Sequence, residues 1–256
     1  MENKGLINQE KINNNIEVYN FDINFSRKDE GEISYFKRGM GFLIGSLGLF
    51  VLEIIVGIFA ILIFKDELTI NAAATFICYG LLAIIFVFFY FSNCKKIFSQ
   101  LLNFDVIFRG ILFGLLVIAI PNIYTALINP LFPVGVNNNE TLVREMVTIY
   151  PILSIIFAGL IGPLCEEFTY RISLFGLLRK EKVLAYIATA LIFGIIHFDF
   201  SSFTNSSSLV VELVNLPNYI ISGLILAYAY DRYGFGVAYI AHAINNVIAI
   251  LFTIVG

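Results

Sequence analysis

A succession of long apolar runs, at about 40–64, 70–92, 107–129, 150–178, 183–199, 216–230 and 233–255, limits this chain more than any other feature. Several of them approach the roughly 20 residues that a membrane-spanning helix needs. Only 14% of the residues are charged and 59% are hydrophobic, against roughly 25% charged in a soluble domain, so one water-soluble core cannot absorb these runs. The backbone of a lipid-embedded segment must satisfy its own hydrogen bonds. The expected fold is therefore all-α: a polytopic transmembrane bundle of about seven spans, with six to eight as the range. Residues 1–39 are polar and rich in Asn, Lys and Glu, without the apolar core and cleavage site of a secretory signal peptide. They read as an amino-terminal cytoplasmic segment ahead of a bundle over 40–256.

Lys and Arg collect on alternate sides of these runs. Lys4, Lys11, Arg27, Lys28, Lys37 and Arg38 precede the first; Lys95, Lys96 and Arg109 follow the second; Arg179, Lys180 and Lys182 follow the fourth; Arg232 follows the sixth. The opposite loops hold Lys65 and Arg144. This asymmetry predicts a multi-pass protein of the cell membrane with a cytoplasmic amino terminus and, after seven crossings, an external carboxyl terminus. A net charge of −3 and the lack of a basic tract with interleaved aromatics set nucleic acid aside as a partner. Cys78, Cys94 and Cys165 show no metal-ligand or disulfide-framework spacing and read as small apolar residues.

Ionisable groups inside spanning helices cost roughly 2.5 to 3.5 kcal/mol each at the helix centre, so each is a functional candidate by default. They concentrate in three of the late runs. The fourth holds Glu166, Glu167 and Arg171, the fifth ends in His197, and the seventh holds His242, Asn245 and Asn246. Glu167 and Arg171 are four residues apart on one helical face, as are Phe193 and His197, and His242 and Asn246; Glu166 is turned about 100° from Glu167. Glu167 can therefore pair with Arg171 as structural support while Glu166 faces a cavity. Counting from the basic ends of their helices, Glu166, His197 and His242 lie at depths of about 20, 22 and 15 Å, one slab of the membrane. Gly223 and Ser222 read as sites of close helix approach.

Peptide hydrolysis needs a base for water, donors for the oxyanion and a proton for the leaving amine. Glu166 in a low-dielectric cavity suits the base, its pKa raised toward neutrality. His197 can hold water or pass a proton, and His242 with Asn246 can supply oxyanion donors. No Ser or Cys stands beside both a histidine and an acid, which favours activated water over a covalent intermediate. Glu166, His197 and His242 are also competent zinc ligands, so a metal stays open beside a metal-free mechanism.

The order EExxxR, FxxxH, HxxxN on successive late spans resembles the CPBP family of intramembrane proteases, which includes the CaaX prenyl endopeptidases and proteins linked to bacteriocin immunity. The resemblance covers about 150–250, a protease core in the last four helices. It implies that Glu166 activates water, that Glu167 and Arg171 complete the first motif, that His197 is the second-motif histidine, and that His242 and Asn246 stabilise the oxyanion. The implied substrate is a membrane-embedded or membrane-proximal peptide or protein within the lipid bilayer. An ion-coupled carrier and a non-catalytic bacteriocin self-immunity protein are the rival readings. Inverted repeats that would favour a carrier are not evident.

Overall fold

The computed structural model describes residues 30–132 and 135–255, so most of the expected polar segment, with Lys4, Lys11, Arg27 and Lys28, lies outside the described residues. Six helices are long and apolar enough to cross a membrane: α1 (Tyr35–Ile63), α2 (Glu67–Phe89), α4 (Phe104–Ile128), α6 (Pro151–Leu178), α8 (Ser206–Tyr233) and α9 (Phe235–Val255). Among the described residues there are also three shorter α-helices: α3 (Phe91–Ser99), α5 (Asn138–Ile149) and the apolar α7 (Lys182–Ile195). No strand occurs among the described residues.

Side-chain caps set where several helices begin. Ser34 Oγ accepts the Lys37 N–H at 3.2 Å ahead of α1, so that helix starts five residues before the apolar run. Asp66 Oδ1 accepts the Thr69 N–H at 2.8 Å ahead of α2, and Asn137 Oδ1 accepts the Glu140 N–H at 3.0 Å ahead of α5. Each satisfies one of the N–H groups that a helix start leaves unpaired.

Two spans differ from the sequence expectation. The fifth, α7, has 14 residues, about 21 Å of helix, too little to cross a core about 30 Å thick. The chain continues from it through His197 and a 3₁₀ turn at Phe200–Thr204. The sixth begins at Ser206 rather than 216, because Asn205 caps it, its side chain accepting the Ser207 N–H at 3.0 Å. Pro217 lies inside this helix.

Close helix packing rests on glycine. On α4, Gly110 and Gly114 share a face against α9; a Cβ on Gly110 would stand 2.5 Å from Ile240 Cγ2, and one on Gly114 2.9 Å from Ile244 Cγ2. Gly223 of α8 abuts α7 as expected, since its Cβ would stand 3.0 Å from the Ala190 Cα. Small residues at such crossings let backbones meet, the main route to packing energy where lipid removes the hydrophobic drive. Gly234 takes a positive φ of 87° and turns the chain directly from α8 into α9.

Helix α6 is the axis of the bundle, and two of its stretches, Ile155–Ile161 and Phe168–Phe175, are π-helical. Widening the helix frees carbonyls from the regular ladder, and side chains take them up. Arg38 of α1 donates to the Ile172 carbonyl, Ser173 Oγ to that of Phe168 at 2.7 Å, and Thr169 Oγ to that of Cys165 at 2.8 Å. Such segments often mark functional sites; here they bracket Glu166 and Glu167.

Replacing Gly223 by Leu should force α7 from α8 and destabilise the protein by about 1–3 kcal/mol, lowering the thermal midpoint in detergent. An unchanged midpoint would show that the Gly223–Ala190 approach does not hold these helices.

Candidate active site

Glu167 stands at the centre of the site and is fully buried. Its Oε2 is 3.2 Å from Arg171 Nε, one helical turn on, as the spacing predicts. Its Oε1 lies 3.0 Å from His242 Nδ1 of α9. A carboxylate oxygen can only accept, so this contact puts a proton on Nδ1. Arg171, also fully buried, stacks its guanidinium over the Phe193 ring at 5.3 Å, a cation–π contact. Its Nη1 and Nη2 have no hydrogen-bond partner among the described residues.

Glu166 points elsewhere, as its rotation from Glu167 requires. Its side chain keeps 11% exposure where that of Glu167 has none. The Tyr79 hydroxyl of α2 donates to its Oε1 at 3.0 Å. Its Oε2 stands 3.8 Å from His242 Nε2, beyond direct hydrogen-bond distance. His242 thus lies between the two carboxylates, bonded to Glu167 through Nδ1 and facing Glu166 with Nε2.

His197 sits two residues beyond the end of α7 and is half-buried. Its Nδ1 lies 2.7 Å from the Phe193 carbonyl, which fixes the proton on that nitrogen. The Phe193 ring packs against both imidazoles, 4.9 Å from His197 and 5.5 Å from His242 between ring centres. Asn246 is half-buried beside them; its amide donates to the Ala158 carbonyl at 3.1 Å, in the first π-helical stretch, and its Oδ1 accepts from Asn245 at 3.0 Å. All six sequence candidates therefore lie around one region, with Asn246 turned partly toward the backbone of α6.

The donors proposed for zinc do not converge. Among the described residues no three His, Cys, Asp or Glu side chains are grouped to hold one metal ion. His242 is held between carboxylates, and His197 lies across the Phe193 ring. Glu166, His197 and His242 as arranged here do not form a three-ligand site.

Four further residues shape the site, and three of them left little trace in the sequence. Tyr79 lies in an ordinary apolar run. Tyr219 of α8 stacks on His197 at 4.5 Å and 13°, a contact between segments distant in sequence that spacing cannot reveal. Glu212 is buried, and its two oxygens accept the backbone N–H groups of Asn138 at 3.0 Å and Asp199 at 3.2 Å. It thereby satisfies irregular backbone where α7 stops short. Asn137 begins a helix-start pattern that the sequence does carry, but not the site it reaches. Nearby Asp199 is held below the usual carboxylate range by hydrogen bonds from Ser201 and Asn138. A separate cavity of about 440 Å³ lies at the basic end of α6, lined by Arg38, Arg179 and Lys180 among others, and contains none of the site residues.

The fold and site together define a class: a multi-pass helical membrane protein with a buried acid–histidine centre. Within it, residues 148–248 match the family model described as type II CAAX prenyl endopeptidase, Rce1-like. No curated protein and no solved structure matches the chain. The resemblance carried by the three motifs thus holds over α6 to most of α9 and supports a CaaX-protease-like intramembrane endopeptidase.

Arg171→Met strands a buried carboxylate and should destabilise the protein by about 3–5 kcal/mol. Adding Glu167→Gln to that variant should recover much of the loss in a thermal-unfolding measurement. Equal midpoints for the single and double variants would show that Arg171 is not there to balance Glu167.

Proposed function

We propose that the protein is an intramembrane endopeptidase that hydrolyses a peptide bond of a membrane-embedded or membrane-proximal substrate with water activated by Glu166. The observation that carries this reading is the 3.8 Å separation of Glu166 Oε2 and His242 Nε2. Each faces the other while its opposite end is tied down, Glu166 by Tyr79 and His242 by Glu167. With its proton on Nδ1, neutral His242 offers a lone pair on Nε2. A water about 2.8 Å from both groups can donate one hydrogen to each, which leaves its oxygen lone pair directed at a carbonyl carbon.

Glu166 takes the proton as the water oxygen bonds to that carbon, and the carbonyl becomes an oxyanion. The Asn246 amide nitrogen has two N–H groups; one is given to Ala158, and the second is available to the oxyanion. The C–N bond then breaks, and the proton held by Glu166 passes to the leaving amine, directly or through His197 Nε2, so that acid and base return to their starting states. Glu167 and Arg171 hold His242 and α6 in place and take no proton. The basic helix ends are assigned to the cytoplasm, on the distribution of Lys and Arg alone.

Glu166→Gln in the purified full-length chain in nanodiscs should lower the turnover of a quenched-fluorescent peptide library by at least about 100-fold, with the thermal midpoint retained and wild-type turnover unaffected by a strong chelator. Turnover within threefold of wild type in Glu166→Gln would remove Glu166 from the chemistry. Activity lost to the chelator and restored by zinc would replace the metal-free step.

A further inference from the structure

The second-motif histidine is surrounded by residues that the reaction as drawn does not use. Tyr219 of α8 lies nearly parallel over the His197 ring, centre to centre 4.5 Å, a stacked pair. Its hydroxyl donates to Asn137 Oδ1 at 3.2 Å, and Asn137 Nδ2 in turn donates to the His197 carbonyl at 3.4 Å. Asn139 adds a contact from its amide to the Tyr219 hydroxyl at 3.5 Å. Asn137 is buried, although it lies in the loop leading into α5. One asparagine therefore touches both the backbone of His197 and the ring stacked on its side chain.

His197 needs such support. It stands past the last turn of α7, where its N–H makes a shorter-range bond to the Gly194 carbonyl at 3.1 Å in place of the α-helical ladder. Its own contact to the Phe193 carbonyl fixes one ring nitrogen and leaves the ring free to swing about that bond. The Phe193 ring at 4.9 Å and the Tyr219 ring at 4.5 Å both limit that swing.

We infer that Asn137 and Tyr219 form a clamp that holds the His197 ring in the orientation in which its Nδ1–H reaches the Phe193 carbonyl, making the start of α5 a positioning element of the active site. Losing the clamp frees the tautomer as well. Asn137 lies ahead of the residues that match the family model, 148–248. The inference rests on the proposed proteolysis for its kinetic consequence, but not for its structural one.

Misplacing a catalytic group by about 1 Å can cost up to roughly 100-fold in rate. Tyr219→Leu, which removes stack and hydroxyl together, should lower kcat about tenfold or more with KM within twofold. Tyr219→Phe, which keeps the stack, should recover part of that loss. Asn137→Ser keeps an oxygen for capping α5 but drops the donor to His197; its effect and that of Tyr219→Phe should combine to less than the product of the two. The chain contains two histidines, so ¹⁵N-imidazole NMR of the full-length protein in nanodiscs, assigned with His242→Gln, reports His197 without any substrate. The expected spectrum shows one Nδ1–H tautomer for His197 in the wild type and a mixture in Tyr219→Leu and Asn137→Ser. An unchanged tautomer in both variants overturns the clamp, as does multiplicative loss of kcat in the double variant. If the wild type cleaves no peptide, the protease reading fails, and the tautomer measurement still decides the clamp.

Discussion

The fully buried carboxylate of Glu167 is the interaction on which the rest of the site depends. An ionised carboxylate removed from water costs several kcal/mol unless it is paired and hydrogen-bonded. Glu167 meets both conditions with groups from different places, Arg171 on its own helix and His242 on α9. Satisfying the charge thereby fixes the distance and rotation between α6 and α9. The same contact decides which nitrogen of His242 carries the proton and which faces Glu166. Arg171 pairs with Glu167, and Glu166 has the Tyr79 hydroxyl as its hydrogen-bond donor. The asymmetry between the two glutamates, one fully buried and ion-paired and one partly exposed, follows from that allocation.

Helix α6 can hold this arrangement because its backbone is not regular. Carbonyls of the two π-helical stretches accept from Arg38, Ser173 and Asn246, and Thr169 takes up that of Cys165 in the α-helical turn between them. These are ties to α1 and α9 as well as within α6, made in a medium where an unpaired carbonyl costs several kcal/mol. The tie from Asn246 is also what brings its amide close to the chemistry. Helix deformation and site geometry are thus one feature seen from the backbone and from the side chains.

What the sequence revealed and what it hid divide along the range of the interactions. The Glu167–Arg171 pair is local, four residues apart on one helix, and spacing alone was enough to assign it. Grouping Glu166, His197 and His242 at one depth needed only the rise of a helix and the positions of Lys and Arg. The end of α7 was hidden, because a hydropathy run continues through His197 while the helix does not. For the same reason Glu212 fell in an expected loop; its burial makes sense only once the irregular backbone it bonds to is known. Tyr79 and Tyr219 were hidden altogether, since an aromatic in an apolar run has the same appearance whether it packs against lipid or holds a catalytic group.

The residues matching the family model include both buried glutamates and both histidines, but they do not by themselves account for the geometry. Tyr79 of α2 holds Glu166, Arg38 of α1 ties down the second π-helical stretch, the glycine face of α4 seats α9, and Asn137 ahead of α5 reaches His197. Each is a contact from ahead of residue 148, where the sequence shows only generic membrane helices. The motif residues contribute groups that can move protons, and those groups need fixed distances to do so. In this chain several of the distances are set from outside the motifs. A sequence that kept all three motifs but changed these supporting positions would retain the reactive groups and lose part of the arrangement that makes them a site.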